Sequence, residues 1–402
     1  MTNRMRQVII SLLVLGLAWS PSAAWCGTTP MANGLGFEVA DDVGTARAMG
    51  GVGIANADGI NLLRGNPALI SAVSRYTFGF GASYISTDTK ISGTGSDTNG
   101  LTDSEMLMIA VPVTRGIVIG WGLRPFTRTN VHIKSSDIQN GEQTTDTISI
   151  TGGINTSSSS IAWSYRGLFR IGYSMNYHFG TTQEEWSRTF PGNDGLIPTS
   201  YYLKKRYGGY SHTLGAIASI GDIVSLGFGY TTETTLTNDN FVVPNSLEND
   251  NIRLDKESVK LPAQVRFGMF AQLNENLGGG IDITYEPWED AALSLKEQRQ
   301  YSDVIRIGTG FRFVPGTRQT DPYWKRMPIS VGLKYATLYY KSYPVVDAIV
   351  EKAFTCGIEL PFKNEIGSLA TSLEVGTRGT QNANGWSETY MGFSLSLIGR
   401  MQ

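Results

Sequence analysis

The stretch FRIGYSMNYHF, residues 169–179, sets a large apolar side chain on every second position: Phe169, Ile171, Tyr173, Met175, Tyr177 and Phe179. Between them stand Arg170, Gly172, Ser174 and Asn176. In an extended chain successive side chains point to opposite faces, so one face of this segment is greasy and the other is small, polar or charged.

The pattern recurs along the chain. Tyr76, Phe78, Phe80, Ala82 and Tyr84 oppose Thr77, Gly79, Gly81 and Ser83; Ile117, Ile119, Trp121 and Leu123 oppose Gly120, Gly122 and Arg124; Met391, Phe393, Leu395 and Leu397 oppose Gly392, Ser394 and Ser396. About fourteen such segments lie between residues 75 and 398, each close to the ~9–11 residues with which a tilted strand crosses a bilayer. Short connections at Arg115, Gly167, Gly221 and 274–276 alternate with long polar ones near 87–102, 127–155, 180–207 and 235–256. That asymmetry is the signature of a transmembrane antiparallel β-barrel with short periplasmic turns and long external loops. The stretch 314–327 is an exception, a longer connection on the short-turn side.

A soluble sandwich or propeller would also alternate, but its outer face would carry many Lys and Glu. Here the second face is Gly, Ser and Thr with scattered charges. Only a closed barrel leaves no unpaired backbone edge in hydrocarbon. Composition agrees: 17% of the 402 residues are Asp, Glu, Lys or Arg, against ~25% in average proteins. Glycine, at 47 residues, is well above its usual ~7%. The net charge of -2 provides no field for a nucleic-acid partner.

Residues 1–26 read as a signal peptide, with Arg4 and Arg6 before an apolar run from Val8 to Trp19. The expected location is the outer membrane of a Gram-negative-type bacterium. Bulky Trp25 before Cys26 departs from the small residue that lipoprotein processing requires, and Cys356 is then a lone thiol. Residues 27–74 lack period-two alternation and precede the barrel of residues 75–402. A barrel of ~14 strands encloses more lumen than side chains fill, so this segment is expected to plug it as a hatch.

The hatch stretch contains Ala48, Gly50, Gly51, Ala55 and Asp58, then Asn66, Pro67 and Ala68; farther on come Leu261 and Pro262 before a strand, with Asp282 and Trp288 downstream. With these residues, over nearly the whole mature chain, the sequence resembles the FadL/TodX family of outer-membrane transporters of long-chain fatty acids and hydrophobic aromatics. It departs at Gly65, where the family often has an aromatic, and at its end, LIGRMQ. The resemblance implies a monomeric channel taking up a hydrophobic small-molecule ligand without a cofactor, embedded in outer-membrane lipid and extracted with detergent. It also implies a lateral opening at a kinked third strand, for which Pro125 is the candidate.

A charge on the lipid face at mid-bilayer costs ~2–4 kcal/mol, so Arg124, Arg170, Lys260, Arg266, Arg306, Arg312 and Lys334, with Asp282, Glu286, Glu359 and Glu374, are expected to face the lumen. They either pair with one another and with hatch carboxylates such as Asp41, Asp42 and Asp58, or leave a cation for a fatty-acid carboxylate. The candidates for that contact are Arg124, Arg170, Arg266 and Arg306, with Phe270 and the hatch residues Phe37, Leu62 and Leu63 lining an acyl pocket. Asn66, Pro67 and Ala68 are expected to form a rigid bend where hatch meets wall, because proline fixes φ and restricts the residue before it. Enzyme motifs are absent: His132, His178 and His212 share no metal-ligand spacing, and no phosphate loop or nucleophile elbow occurs. Two other roles remain open, a general porin and a non-transporting scaffold or secretion-accessory barrel that binds partner proteins through its loops.

Overall fold

The computed structural model describes residues 35–56, 65–93, 95–139, 142–192, 195–221, 223–244, 252–253, 257–291, 300–316, 318, 320–341, 347–363 and 366–401. Residues 1–26, expected to be a signal peptide, and Asp58, Leu62 and Leu63 lie outside them. The wall consists of β2 (Tyr76–Ile91), β3 (Gly95–Thr114), β4 (Ile117–Gln139), β5 (Glu142–Tyr165), β6 (Phe169–Thr189), β7 (Thr199–Ile220), β8 (Val224–Thr231), β9 (Thr234–Pro244), β10 (Ile252–Arg253), β11 (Glu257–Leu261), β12 (Gln264–Gln272), β13 (Leu277–Glu286), β14 (Val304–Phe313), β15 (Ile329–Lys341), β16 (Ala348–Pro361), β17 (Gly367–Arg378) and β18 (Trp386–Met401), preceded by a short β1 (Phe37–Glu38). Since β8 runs on into β9, and β10 and β11 into β12, the wall is a closed antiparallel barrel of 14 strands. Closure is direct: β18 pairs with β2 from Trp386 opposite Ile91 to Met401 opposite Tyr76.

The period-two residues face as their chemistry requires. Ile171, Tyr173, Met175 and Tyr177 are exposed on the outside, while Ser174, Asn176 and His178 are buried inside. Those inward polar groups satisfy one another across neighbouring strands. Ser158 donates to Asn176 Oδ1 at 2.8 Å, Asn176 Nδ2 donates to Thr213 at 2.9 Å, and His178 bonds Thr156 and Ser211. A buried polar group is costly only when unpaired, so hydroxyls and amides tolerate this interior.

Two expectations change. The connections expected at 87–102, 127–155 and 180–207 are largely strand: β3 begins at Gly95, β4 and β5 continue to Gln139 and from Glu142, β6 reaches Thr189 and β7 starts at Thr199. Beyond the hydrocarbon the backbone ladder continues, but neither face need be apolar, so the alternation that marks a membrane strand fades. Lys260 does not face the lumen. Val259 packs against, and Leu261 belongs to, the inner apolar cluster, and Lys260 on the other face pairs with exposed Glu233 at 2.9 Å. The breaks at 232–233 and 262–263, between β8 and β9 and between β11 and β12, shift the side-chain parity of both strands.

The wall is interrupted in one place. The β3–β4 ladder ends where Leu107 faces Leu123. Above it β3 pairs with β2, β4 pairs with β5, and β1 adds to β4 with Phe37 opposite Arg128 and Glu38 opposite Thr127. Asp103 of β3 and Arg128 of β4 reach across this seam in an ion pair of 2.6 Å.

Candidate functional site

Inward-facing glycines occupy adjoining positions around the wall: Gly332 opposite Gly310, Gly310 opposite Gly280, Gly268 opposite Gly227, Gly229 opposite Gly215 and Gly215 opposite Gly172. A side chain at any of them would collide with the N-terminal segment, and the collisions follow chain order. Gly357 would meet Ala48; Gly332 and Gly310, Met49; Gly308, Gly50; Gly280, Val52; Gly268 and Gly227, Ile54; Gly229, Gly65; Gly215, Asn66 and Pro67; Gly172, Pro67 and Ala68. Residues 48–56 thus track along the inner wall from β16 to β8, and residues 65–68 from β8 to β6, their backbone resting where the wall has no side chains. Glycine permits such close approach because it lacks Cβ.

Polar anchors fix the same path. Asp282 Oδ2 accepts the N–H groups of Gly53 at 2.6 Å and Ile54 at 2.8 Å. Asn66 is fully buried; its Oδ1 accepts the Ala68 N–H at 3.1 Å and its Nδ2 donates to the carbonyls of Ile54 at 2.8 Å and Ala216 at 3.2 Å. Asn66 thereby caps a 3-10 turn, Pro67–Ala72, that starts on proline and buries Pro67, Ala68, Leu69 and Ile70. At the other end of the segment a helical turn, α1 (Gly44–Ala48), is buried throughout, and Thr355 of β16 donates to the Ala48 carbonyl at 2.9 Å.

Interior charges are held in ion pairs that tie the segment to the wall. Arg306 bonds Glu286 of the wall and Glu38 of the segment, the latter at 2.5 Å. Arg266 meets Asp41 at 3.3 Å, and Arg47 of the segment bonds Glu105. Lys334 lies 2.9 Å from Glu351 and 3.3 Å from Glu374, while Arg378 bonds Glu351 and is sandwiched between the rings of Phe37, at 4.5 Å, and Tyr390, at 3.9 Å. Buried charges survive where they are paired and hydrogen-bonded, as these are.

Toward the long-strand end an apolar cluster covers the segment. Trp288, Tyr301, Tyr339 and Tyr340 pack with Leu35, Phe126, Tyr207, Leu236 and Trp386, and the Trp288 and Tyr339 rings stack at 4.4 Å. Beside it, a cavity of about 80 Å³ is lined by Phe37, Val39, Ile85, Leu101, Arg128 and Tyr390, among others, next to the β3–β4 seam. Arg124, Arg266 and Arg306 line another of about 50 Å³ together with Asp41 and Glu38.

The nominated residues therefore divide. Arg266 and Arg306 are engaged by carboxylates. Arg124 has no ion pair among the described residues and faces small polar cavities. Arg170 lies beside the β5–β6 turn, and Phe270, opposite Gly280 near the β12–β13 turn, stands apart from Phe37, which faces Arg128 on the far side of the segment. Pro125 lies just past the end of the β3–β4 ladder, where β4 bulges against β5 between Pro125 and Thr127. Sequence reasoning missed Glu38, Arg47, Arg378, Glu351 and Tyr339. Glu351 and Arg378 stand near the ends of β16 and β17, and Tyr339 lies in an irregular stretch of β15 between Thr337 and Lys341 that breaks period two. Among the described residues no group of His, Cys, Asp and Glu could hold a metal ion.

A family model described as BamG matches residues 5–399. No curated protein sequence matches the chain. Among solved structures, the toluene transporter TbuX of Ralstonia pickettii is 16% identical with a TM-score of 0.60, over 90% of this chain and 99% of that one. The toluene transporter TodX of Pseudomonas putida is 16% identical with a TM-score of 0.61, over 91% and 99%. A FadL homologue of Pseudomonas aeruginosa is 12% identical with a TM-score of 0.59, over 91% and 100%. The barrel fold is FadL-like, as the sequence resemblance implied.

Proposed function

The chain belongs to the BamG family, and from that premise we propose that it is an outer-membrane barrel, permanently plugged by residues 27–74, that binds partner proteins rather than passing solutes. The observation that carries this reading is the match between the glycine track of the wall and the backbone of residues 48–56 and 65–68. A gate that slides must exchange one set of contacts for another of similar quality. Here each displacement would leave bare wall behind and drive backbone into side chains elsewhere, since close-packed interiors do not deform continuously. The paired charges add to the lock: withdrawing Glu38 would leave Arg306 with Glu286 alone, and withdrawing Asp41 would take its carboxylate partner from buried Arg266.

The test is uptake of labelled oleate and of toluene by cells with and without the protein, together with conductance of the purified barrel in planar bilayers. Equal uptake and a closed bilayer are expected. Slower uptake in the strain lacking the protein would overturn the proposal.

A second reading, a channel for long-chain fatty acids or aromatic hydrocarbons, is favoured by one specific feature, the cavity lined by Phe37, Val39, Ile85 and Leu101 beside the seam. It would place an apolar solute against Phe37 and let it leave sideways at Pro125, and its structural relatives include proteins described as toluene transporters. In that reading Arg124, being without an ion pair among the described residues, is the cation for a carboxylate.

A further inference from the structure

At the short-turn end of the barrel, five connections are brief: 115–116, 166–168, 221–223, 273–276 and 362–366. The sixth, between β14 and β15, takes residues 314–328 and has a fold of its own. The Gly316 N–H donates to the Lys325 carbonyl at 2.7 Å, closing the loop. Asp321 turns inward, its Oδ2 accepting the Arg318 N–H at 3.0 Å while its own N–H donates to the Arg318 carbonyl. The neck is tied to the neighbouring turn by Val314 and Asn276, whose N–H and side-chain amide bond each other's carbonyls at 2.7 and 2.6 Å. At its tip a 3-10 turn, Tyr323–Arg326, buries none of its side chains. Trp324 is 64% exposed and Tyr323 45%. Lys325 Nζ lies 5.3 Å from the Trp324 ring, and the Arg326 guanidinium 5.7 Å from that of Tyr323.

We propose that the 314–328 loop is a docking knob for a partner protein that presents an apolar pocket rimmed by carboxylates, a proposal that rests on the scaffold reading above. Three features favour a protein over the lipid interface. Aromatics that meet lipid in this barrel, such as Trp163, Tyr165, Phe169 and Phe313, sit on strand faces and need no protruding loop. A compact loop closed by its own hydrogen bonds holds Tyr323 and Trp324 ready at little further entropic cost, as an interface anchor requires. Finally, with Asp321 turned into the loop, Arg318, Lys325 and Arg326 leave the tip positively charged, and Trp, Tyr and Arg are the residue types that dominate binding energy at protein interfaces. Carboxylates around the pocket would complement those cations and steer encounter.

The experiment replaces Trp324 of the full-length protein with photoreactive benzoylphenylalanine and irradiates intact cells. A discrete protein adduct is expected, identified by mass spectrometry as joined at a site flanked by Asp or Glu. Its yield should fall at least tenfold in the Lys325→Glu/Arg326→Glu background, with heat-modifiable migration of the barrel unchanged. Adducts to lipid alone, or a protein adduct indifferent to charge reversal, would overturn the proposal. A parallel probe at Trp186, on the long-strand end, separates the two readings: protein adducts there but none at 324 would sink the knob and leave the scaffold standing. Solute uptake that depends on the protein would sink the scaffold itself.

Discussion

Tyr339 of the wall and Gly36 of the N-terminal segment are joined by a hydrogen bond of 2.7 Å from the phenol to the Gly36 carbonyl, and the same oxygen accepts the Leu35 N–H at 2.9 Å. One buried hydroxyl thus satisfies both a donor and an acceptor of the N-terminal segment's backbone. Tyr339→Phe keeps the stacking on Trp288 and removes both bonds. We expect a loss of about 1–3 kcal/mol, the cost of orphaning buried backbone groups, confined to this region. Hydrogen exchange should quicken at residues 35–40 and stay unchanged in the strands; uniform protection in both proteins would refute it.

The glycine track makes a second prediction. Gly332→Leu places a side chain where Met49 and Gly50 lie, and overpacking of this kind costs about 1–3 kcal/mol or more. The barrel should still fold in detergent, but its planar-bilayer conductance should rise from closed to measurable steps as the segment is displaced. Gly208→Leu, where an added Cβ comes no nearer than 3.9 Å to its surroundings, is the control.

Removing Asp282 tests the anchor independently. In Asp282→Ala the N–H groups of Gly53 and Ile54 lose their acceptor, at about 1–3 kcal/mol for each group left buried and unpaired. Limited proteolysis should then cut within residues 48–56, which the wild type protects.

Glu351 touches both Lys334 and Arg378. Glu351→Ala leaves Lys334 with Glu374 and Arg378 with Glu388 alone and should lower stability by at most about 3–5 kcal/mol, the usual penalty for halving a buried pair. The double variant Glu351→Ala/Lys334→Met should recover part of it. Urea unfolding in lipid vesicles provides the comparison, and additive losses would show that Glu351 and Lys334 are not coupled. By contrast, Arg188→Ala breaks an exposed pair with Asp146 and should leave the unfolding curve essentially unchanged.

How far the sequence carried the reading depends on where each residue sits relative to the hydrocarbon. Inside it, lipid and lumen impose opposite demands on alternate positions, so Ile171 against Gly172, or Phe267 against Gly268, could be assigned by parity alone. Outside it those demands lapse, and the upper halves of β5, β6 and β7 looked like loops. The glycines were visible as composition, but their purpose was not, because a glycine is legible as a contact only once the backbone opposite it is known. Lys260 was misread for a related reason: the strand breaks at 262–263, where Pro262 cannot donate to the ladder, and the break shifts parity. The charges were expected to pair with one another and with carboxylates of the N-terminal segment, and Arg266 does meet Asp41; partners such as Glu38 and Arg378 went unnoticed because they lie outside any alternating run.

The seam joining β18 to β2 also constrains the order of events during biogenesis. Once Trp386 through Met401 have paired with Ile91 through Tyr76, a turn such as Pro67–Ala72 can enter the cylinder only at its ends or through the short gap between β3 and β4. Laying the leading residues across the nascent sheet before its first and last long strands meet avoids that passage.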